Sequence, residues 1–370
     1  MCRAALAIAA IFGSGSAWGS EVTVIGASWQ PRPISEPIKE DSLMYPVPPS
    51  SNTPMQPNAE GESEPPDESF ELVHWFEEKL CWPWTIDYRY RALASSGISS
   101  TYGTSQPPPT GYAPLSQLDF PINSSWHGLR IGLDEPTWGV HFEWMTPQQS
   151  IQGQFSDYDW KFSGPPNPGE SYTDLGFAGE RWIDAQMIDL GLDFQLTDRT
   201  FNLPIEVWPT FGFRWQRFDI ECYDGVQVKY YNQWLDPADA YPGDAITFNQ
   251  QFYTGYLGGQ FRTRLRSVLL TFQADWGCTW GYNIDHHLLR EGDRYTMEST
   301  QGNSWHLGFT AEVPVSQHVR FGFQFDHAEI RTSGTHHLQN LPLGQDSTWD
   351  NDVSVSSNQT SVMAFVRFRM

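Results

Sequence analysis

Long runs in which every second side chain is apolar constrain this chain more than any other feature. In 188–196, Ile188, Leu190, Leu192, Phe194 and Leu196 alternate with Asp189, Gly191, Asp193 and Gln195. In 270–280, Leu270, Phe272, Ala274, Trp276, Cys278 and Trp280 alternate with Thr271, Gln273, Asp275, Gly277 and Thr279. Val319, Phe321, Phe323 and Phe325 repeat the pattern against Arg320, Gly322 and Gln324. Period two is the period of a strand. A half-buried strand of a soluble sandwich shows the same rhythm, but over shorter stretches. Runs of about nine or more residues are long enough to cross a bilayer as tilted strands.

Ten such strands are expected, at about 82–95, 114–133, 137–153, 181–197, 203–220, 247–263, 267–287, 303–314, 318–331 and 359–370. Short turns (Asp134–Pro136, Thr197–Asn202, Arg264–Arg266, Val315–Gln317) alternate with long loops (96–113, 154–180, 221–246, 288–302, 332–358). An even strand number with tight turns on one rim and long loops on the other describes an all-β, ten-stranded antiparallel transmembrane β-barrel. Closure leaves no unpaired strand edge facing lipid. Composition agrees. Aromatic residues make up 15% of the 370 residues, including 17 Trp, yet only 39% are hydrophobic and mean hydropathy is −0.47. That average excludes a helical membrane protein. The net charge of −22 excludes a nucleic-acid binder, because phosphates would be repelled.

Two segments precede the barrel. Residues 1–19 read as a signal peptide, with Arg3, an apolar stretch from Ala4 to Phe12, and Ala17-Trp18-Gly19 as a small-x-small cleavage site. Residues 20–80 are rich in Pro, Ser and Glu and read as a disordered tether, with a short amphipathic helix expected near 70–80. Cys81, Cys222 and Cys278 then remain, too few and too widely spaced for a disulfide framework or a zinc site.

The long-loop rim carries two polar pairs: Asp157 with Asp159, and Asp285 with His287. Residues i and i+2 of an extended chain face the same way. Asp285 and His287 continue the odd-numbered polar set of their strand, which faces the lumen, whereas His286 continues the outward set. A carboxylate two residues from an imidazole can fix its tautomer and orientation for base catalysis. Two further carboxylates opposite could hold a water against it, and their mutual repulsion would raise one pKa. Such a group activates water without a covalent intermediate. Each pair alone also reads as solvated loop charge. A metal held by Asp285, His286 and His287 is disfavoured, because adjacent strand residues point to opposite faces.

From Trp82 to Met370 the chain resembles the omptins, outer-membrane endopeptidases built as ten-stranded barrels. Four segments carry the resemblance, in the family's order: Ser116-Gln-Leu-Asp-Phe120, Asp157-Tyr-Asp-Trp160 with Asn167-Pro-Gly169 and Tyr172-Thr-Asp174, Gly212-Phe-Arg-Trp-Gln-Arg-Phe218, and Trp280 to Asp285 with His287. The resemblance implies a catalytic aspartate pair at Asp157 and Asp159, and a dyad at Asp285 and His287 with a nucleophilic water. It implies a peptide or protein substrate, outer-membrane lipid as surroundings, an active rim facing outward, no metal, and a monomer. It further implies a lipopolysaccharide requirement, with Arg217 at one lipid-gripping position. Asn283 and Thr101 occupy substrate-pocket positions where the family carries acids, so its preference for basic residues does not carry over. A non-catalytic barrel, either a small pore or an adhesin, is the alternative.

Overall fold

The computed structural model describes residues 84–104, 114–160, 174–196, 205–231, 234–235, 239–289 and 294–370. The expected signal peptide, tether and short helix, the turn at Thr197–Asn202 and Cys81 lie outside the described residues.

The strands are β1 (Trp84–Tyr102), β2 (Ser116–Pro121), β3 (Ser125–Asp134), β4 (Trp138–Pro147), β5 (Phe155–Asp159), β6 (Asp174–Phe194), β7 (Ile205–Tyr231), β8 (Trp234–Leu235), β9 (Asp239–Leu265), β10 (Val268–His287), β11 (Arg294–Pro314), β12 (Val319–Asn340) and β13 (Gln345–Arg369). β2 and β3 are two parts of one stave broken at 122–124, and β4 and β5 are parts of another broken at 148–154. β8 pairs only with the end of β7. Ten antiparallel staves remain among the described residues, and β1 pairs with β13 to close the ring. Tight turns at 135–137, 266–267 and 315–318 share the lower rim. The described strand ends at Tyr102, Ser116, Asp159 and Asp174 lie on the upper one.

Polarity divides the barrel into two zones. In the lower zone the outer face is a belt of exposed apolar side chains, among them Tyr88, Leu129, Phe142, Leu190, Phe213, Leu257, Trp276, Phe309 and Phe323. Such a belt fits hydrocarbon and, on a closed barrel, describes a membrane-spanning wall. The lumen there is filled by paired charges, as buried ions must be. Arg89 bridges Asp87 and Glu143. Arg91 donates to Glu143 at 3.0 Å, Arg367 reaches Asp87 at 2.7 Å and Glu312 at 2.9 Å, and His306 sits between Asp275 and Asp326 at 2.8 and 2.9 Å. Gln216 of β7 and Gln359 of β13 exchange amide hydrogen bonds of 2.9 and 3.0 Å across the lumen.

Above the belt the polarity inverts. On β7 the outer row passes from Phe213 and Trp215 to Arg217, Asp219 and Glu221, while the inner row becomes Phe218, Ile220 and Cys222. Phe120 of β2 stacks on Phe248 of β9 at 3.7 Å, within a cluster that includes Ile98, Trp126, Phe155 and Val355. This upper zone is built like an ordinary protein interior, because water rather than lipid bathes its wall.

The inversion explains where strand ends differ from expectation. β7 continues to Tyr231 rather than 220, β11 begins at Arg294 rather than 303, β12 continues to Asn340 rather than 331, and β13 begins at Gln345 rather than 359. Much of the sequence expected as loop at 221–246, 288–302 and 332–358 is therefore strand. At ~3.3 Å per residue the 27 residues of β7 extend about 90 Å, whereas a tilted crossing of a belt ~25 Å tall takes roughly 35 Å. Beyond the belt, polar residues suit the outer face, and the contrast that marks a lipid-facing strand disappears.

Candidate functional site

The upper zone gathers side chains from two distant strands. β5 lies between β2 and β6, with Asp157 opposite Leu118 on one side and Gly176 on the other. Phe155, two residues earlier on the same face, packs against Phe120 with ring centroids 4.8 Å apart and anchors the strand. Asp157 is buried, and the Ser116 hydroxyl donates to its Oδ1 at 3.3 Å. A Cβ on residue 176 would lie 3.2 Å from the Asp157 Cβ, tighter than an ordinary contact, so glycine there lets the neighbouring strand lie close without displacing Asp157. Asp159 follows on the same face, between Ser116 and Asp174.

β10 delivers the other pair. Asn283, Asp285 and His287 face inward and are almost fully buried. His287 Nε2 and Asp285 Oδ2 are 2.9 Å apart, close enough for the ring N–H to donate to the carboxylate and fix the tautomer. His286 alternates to the outer face, where it stacks on Tyr295 at 3.8 Å. The parity that separates the two histidines in the sequence is the parity of the strand.

Asp157, Asp159, Asp285 and His287 all line one cavity of about 420 Å³, together with Tyr102, Ser116, Arg294, Thr296 and His336. A second cavity, of about 120 Å³, shares Asp157 and His287 with the first and continues between β6, β7 and β9. Among the described residues no group of three or more His, Cys, Asp or Glu could hold a metal ion.

The remaining sequence candidates are placed differently. Asn283 lies below the dyad, its Nδ2 donating to Gln250 Oε1 at 3.0 Å. Thr101 does not line the cavity. β1 carries a bulge between Ala94 and Gly97, with Ser95 at φ 53°, and the phase shift turns Ser100 and Tyr102 inward. Tyr102 contributes to the cavity in place of its neighbour. Arg217 stands on the outer wall just above the belt, where its guanidinium meets Asp219 and Asp184. Cys222 is buried inside and Cys278 exposed outside, both as free thiols.

Sequence reasoning missed Glu298 and His336. Glu298 is the cross-strand partner of Asn283, is buried, and accepts from His336 Nδ1 at 3.0 Å. Burial, reinforced by the charge of Asp285 and opposed by His336, raises its pKa to about 7. His336 stacks on Trp349, with Tyr102 edge-on at 5.1 Å. Burial and the charges of Glu298 and Asp285 push the Tyr102 phenol well up. The signal that could have found the pair was strand parity, but both residues fall in segments expected as loop.

No protein-family model matches the sequence, and no curated protein matches it. Among solved structures the outer membrane protease OmpT from Escherichia coli is similar, with a TM-score of 0.67 and 17% identity over 78% of this chain and 97% of that one. The translocator domain of the autotransporter NalP from Neisseria meningitidis gives a TM-score of 0.33 and 8% identity, over 82% of this chain and 95% of its own. A major outer membrane protein from Thermus thermophilus gives 0.26 and 10%, over 76% and 99%. What this chain shares with OmpT is the fold, a closed antiparallel membrane β-barrel.

Proposed function

We propose that this protein is an outer-membrane endopeptidase of omptin type, with the upper rim facing outward and peptides or proteins at the cell surface as substrates. The observation that carries the proposal is that Asp157 and Asp159 of β5 share one cavity with the hydrogen-bonded Asp285–His287 dyad of β10. Nε2–H of His287 donates to Asp285, so Nδ1 carries the lone pair that takes a proton from water. Asp157, held by Ser116, positions that water against the scissile carbonyl. Asp285 stabilises the imidazolium as it forms, and the proton then passes to the leaving amine. Arg217, on the outer wall beside the belt, is the candidate contact for a lipopolysaccharide phosphate.

A pore is the weaker reading, because Gln216–Gln359 and the stacked pair Phe120–Phe248 cross the lumen. The test is cleavage of a peptide library by purified protein supplied with lipopolysaccharide. Asp157→Ala and His287→Ala should each lower kcat/KM by roughly 10²–10⁴-fold, with the heat-dependent gel shift of a folded barrel retained. Undiminished cleavage by both variants would remove the proposal.

A further inference from the structure

The two upper cavities meet at Asp157 and His287 and differ in chemistry on either side. The larger carries the ionisable groups Asp159, Asp285, Arg294 and His336 beside Leu115, Leu118 and Trp349. The smaller is apolar, walled by Phe155, Ala178, Val226, Ile246 and Leu289. Gln227 joins Asp157 and His287 in lining both, and its Oε1 accepts from the Tyr241 hydroxyl at 3.3 Å. A peptide bond presented to Asp157 and His287 therefore lies on the boundary, with the residues flanking it directed into unlike surroundings.

We infer that the small cavity is a specificity pocket for an aliphatic side chain, so that the protein cuts beside a Val, Ile or Leu residue of its substrate. The inference rests on the endopeptidase reading and adds its substrate class. Three features set the class. The walls offer carbon surface from four strands, so a charged side chain entering would lose most of its hydration. The volume of about 120 Å³ accommodates a branched aliphatic side chain. Among the described residues, the only ionisable groups on its lining besides the Tyr241 phenol are Asp157 and His287. Both stand where it opens to the polar cavity and are engaged with the reacting bond. The dyad has its anionic partner, Asp285, on the polar side alone. Preference is accordingly confined to one side of the cut.

The test profiles the full chain, purified in detergent with lipopolysaccharide, against a randomised peptide library. It then measures kcat/KM for a peptide series in which the flanking residue alone runs Gly, Ala, Val, Leu, Asp, Lys. Each methylene accommodated in an apolar pocket is worth roughly 10- to 200-fold, so Val or Leu should exceed Gly by at least tenfold, with Asp and Lys poorest. Val226→Trp, which fills the pocket, should reverse the order and cut the Leu-to-Gly ratio at least tenfold. That shift in ratio is one that a general loss of folded protein would not produce. Cleavage by the unaltered protein with no aliphatic preference on either side of the cut would overturn the pocket assignment while leaving the endopeptidase reading intact. A chain that cuts no peptide in the library would remove both. The profile of the unaltered protein decides the matter even if Val226→Trp does not fold.

Discussion

Glu180 of β6 lies beneath the polar cavity, inside the apolar upper zone and opposite Cys222. Neither of its carboxyl oxygens has a hydrogen-bond partner. Burial alone raises its pKa to about 9. The group is therefore neutral at physiological pH, which spares Asp157 and Asp285 a third neighbouring charge. The cost falls on stability. The folded protein holds this proton up to about pH 9, whereas the unfolded chain releases it near its ordinary value of 4.5, so native stability falls as pH rises across that window. Glu180→Leu should stabilise the barrel by about 1–3 kcal/mol at pH 5, the cost of a buried polar group left unpaired. The gain should grow toward pH 9 by as much as ~1.4 kcal/mol per unit. Denaturant titrations of the refolded protein at pH 5, 7 and 9 read this directly, and a gain that shrinks with pH would contradict the assignment.

A strand is legible from sequence for as long as its two faces meet different surroundings. The alternation predicts β10 at 267–287, and the strand runs from Val268 to His287, because its outer row stays apolar up to Tyr282 and Ile284. The inward placement of Asp285 and His287 can therefore be read by counting. On β11 the outer row turns polar at Asn303, Gln301 and Ser299, so the alternation no longer marks a strand there, and Glu298 is hidden with it. Thr101, placed at the pocket by the family resemblance, misses the cavity for a different reason: the bulge at Ser95 shifts the period of upper β1 by one residue. The same bulge supplies a test at this scale. Deleting Ser95 should restore the unbroken period, turn Ile98, Ser100 and Tyr102 outward and bring Thr101 in. Peptide cleavage should then fall at least tenfold, because Tyr102 leaves the cavity. The lower half of β1, paired with β3 and β13 from Thr85 to Ala92, should still close the barrel, as read from the heat-dependent gel shift. Full activity in the deletion variant would show that the phase of upper β1 does not matter.

The whole molecule is two protein interiors stacked along one wall: an inside-out zone in lipid and an apolar-cored zone above it. Each imposes a different filling on the lumen. In the belt, apolar residues are spent on the outside, so the inside must be polar, and polar groups away from bulk water must pair with one another. Arg89, Arg367, His306 and Arg214 accordingly each bridge two acidic side chains. Above the belt the apolar cluster closes the same lumen again, and the two cavities that meet at Asp157 and His287 lie within that upper zone. A barrel filled twice over should conduct poorly. In a planar bilayer the intact protein should give no stepwise ion current, and Gln216→Ala with Gln359→Ala should give none either, since the Phe120–Phe248 stack and the Arg89–Glu143 bridge remain. Regular single-channel steps from the intact protein would mean that the lumen opens in the membrane, and would shift the balance from a surface hydrolase toward a transport barrel.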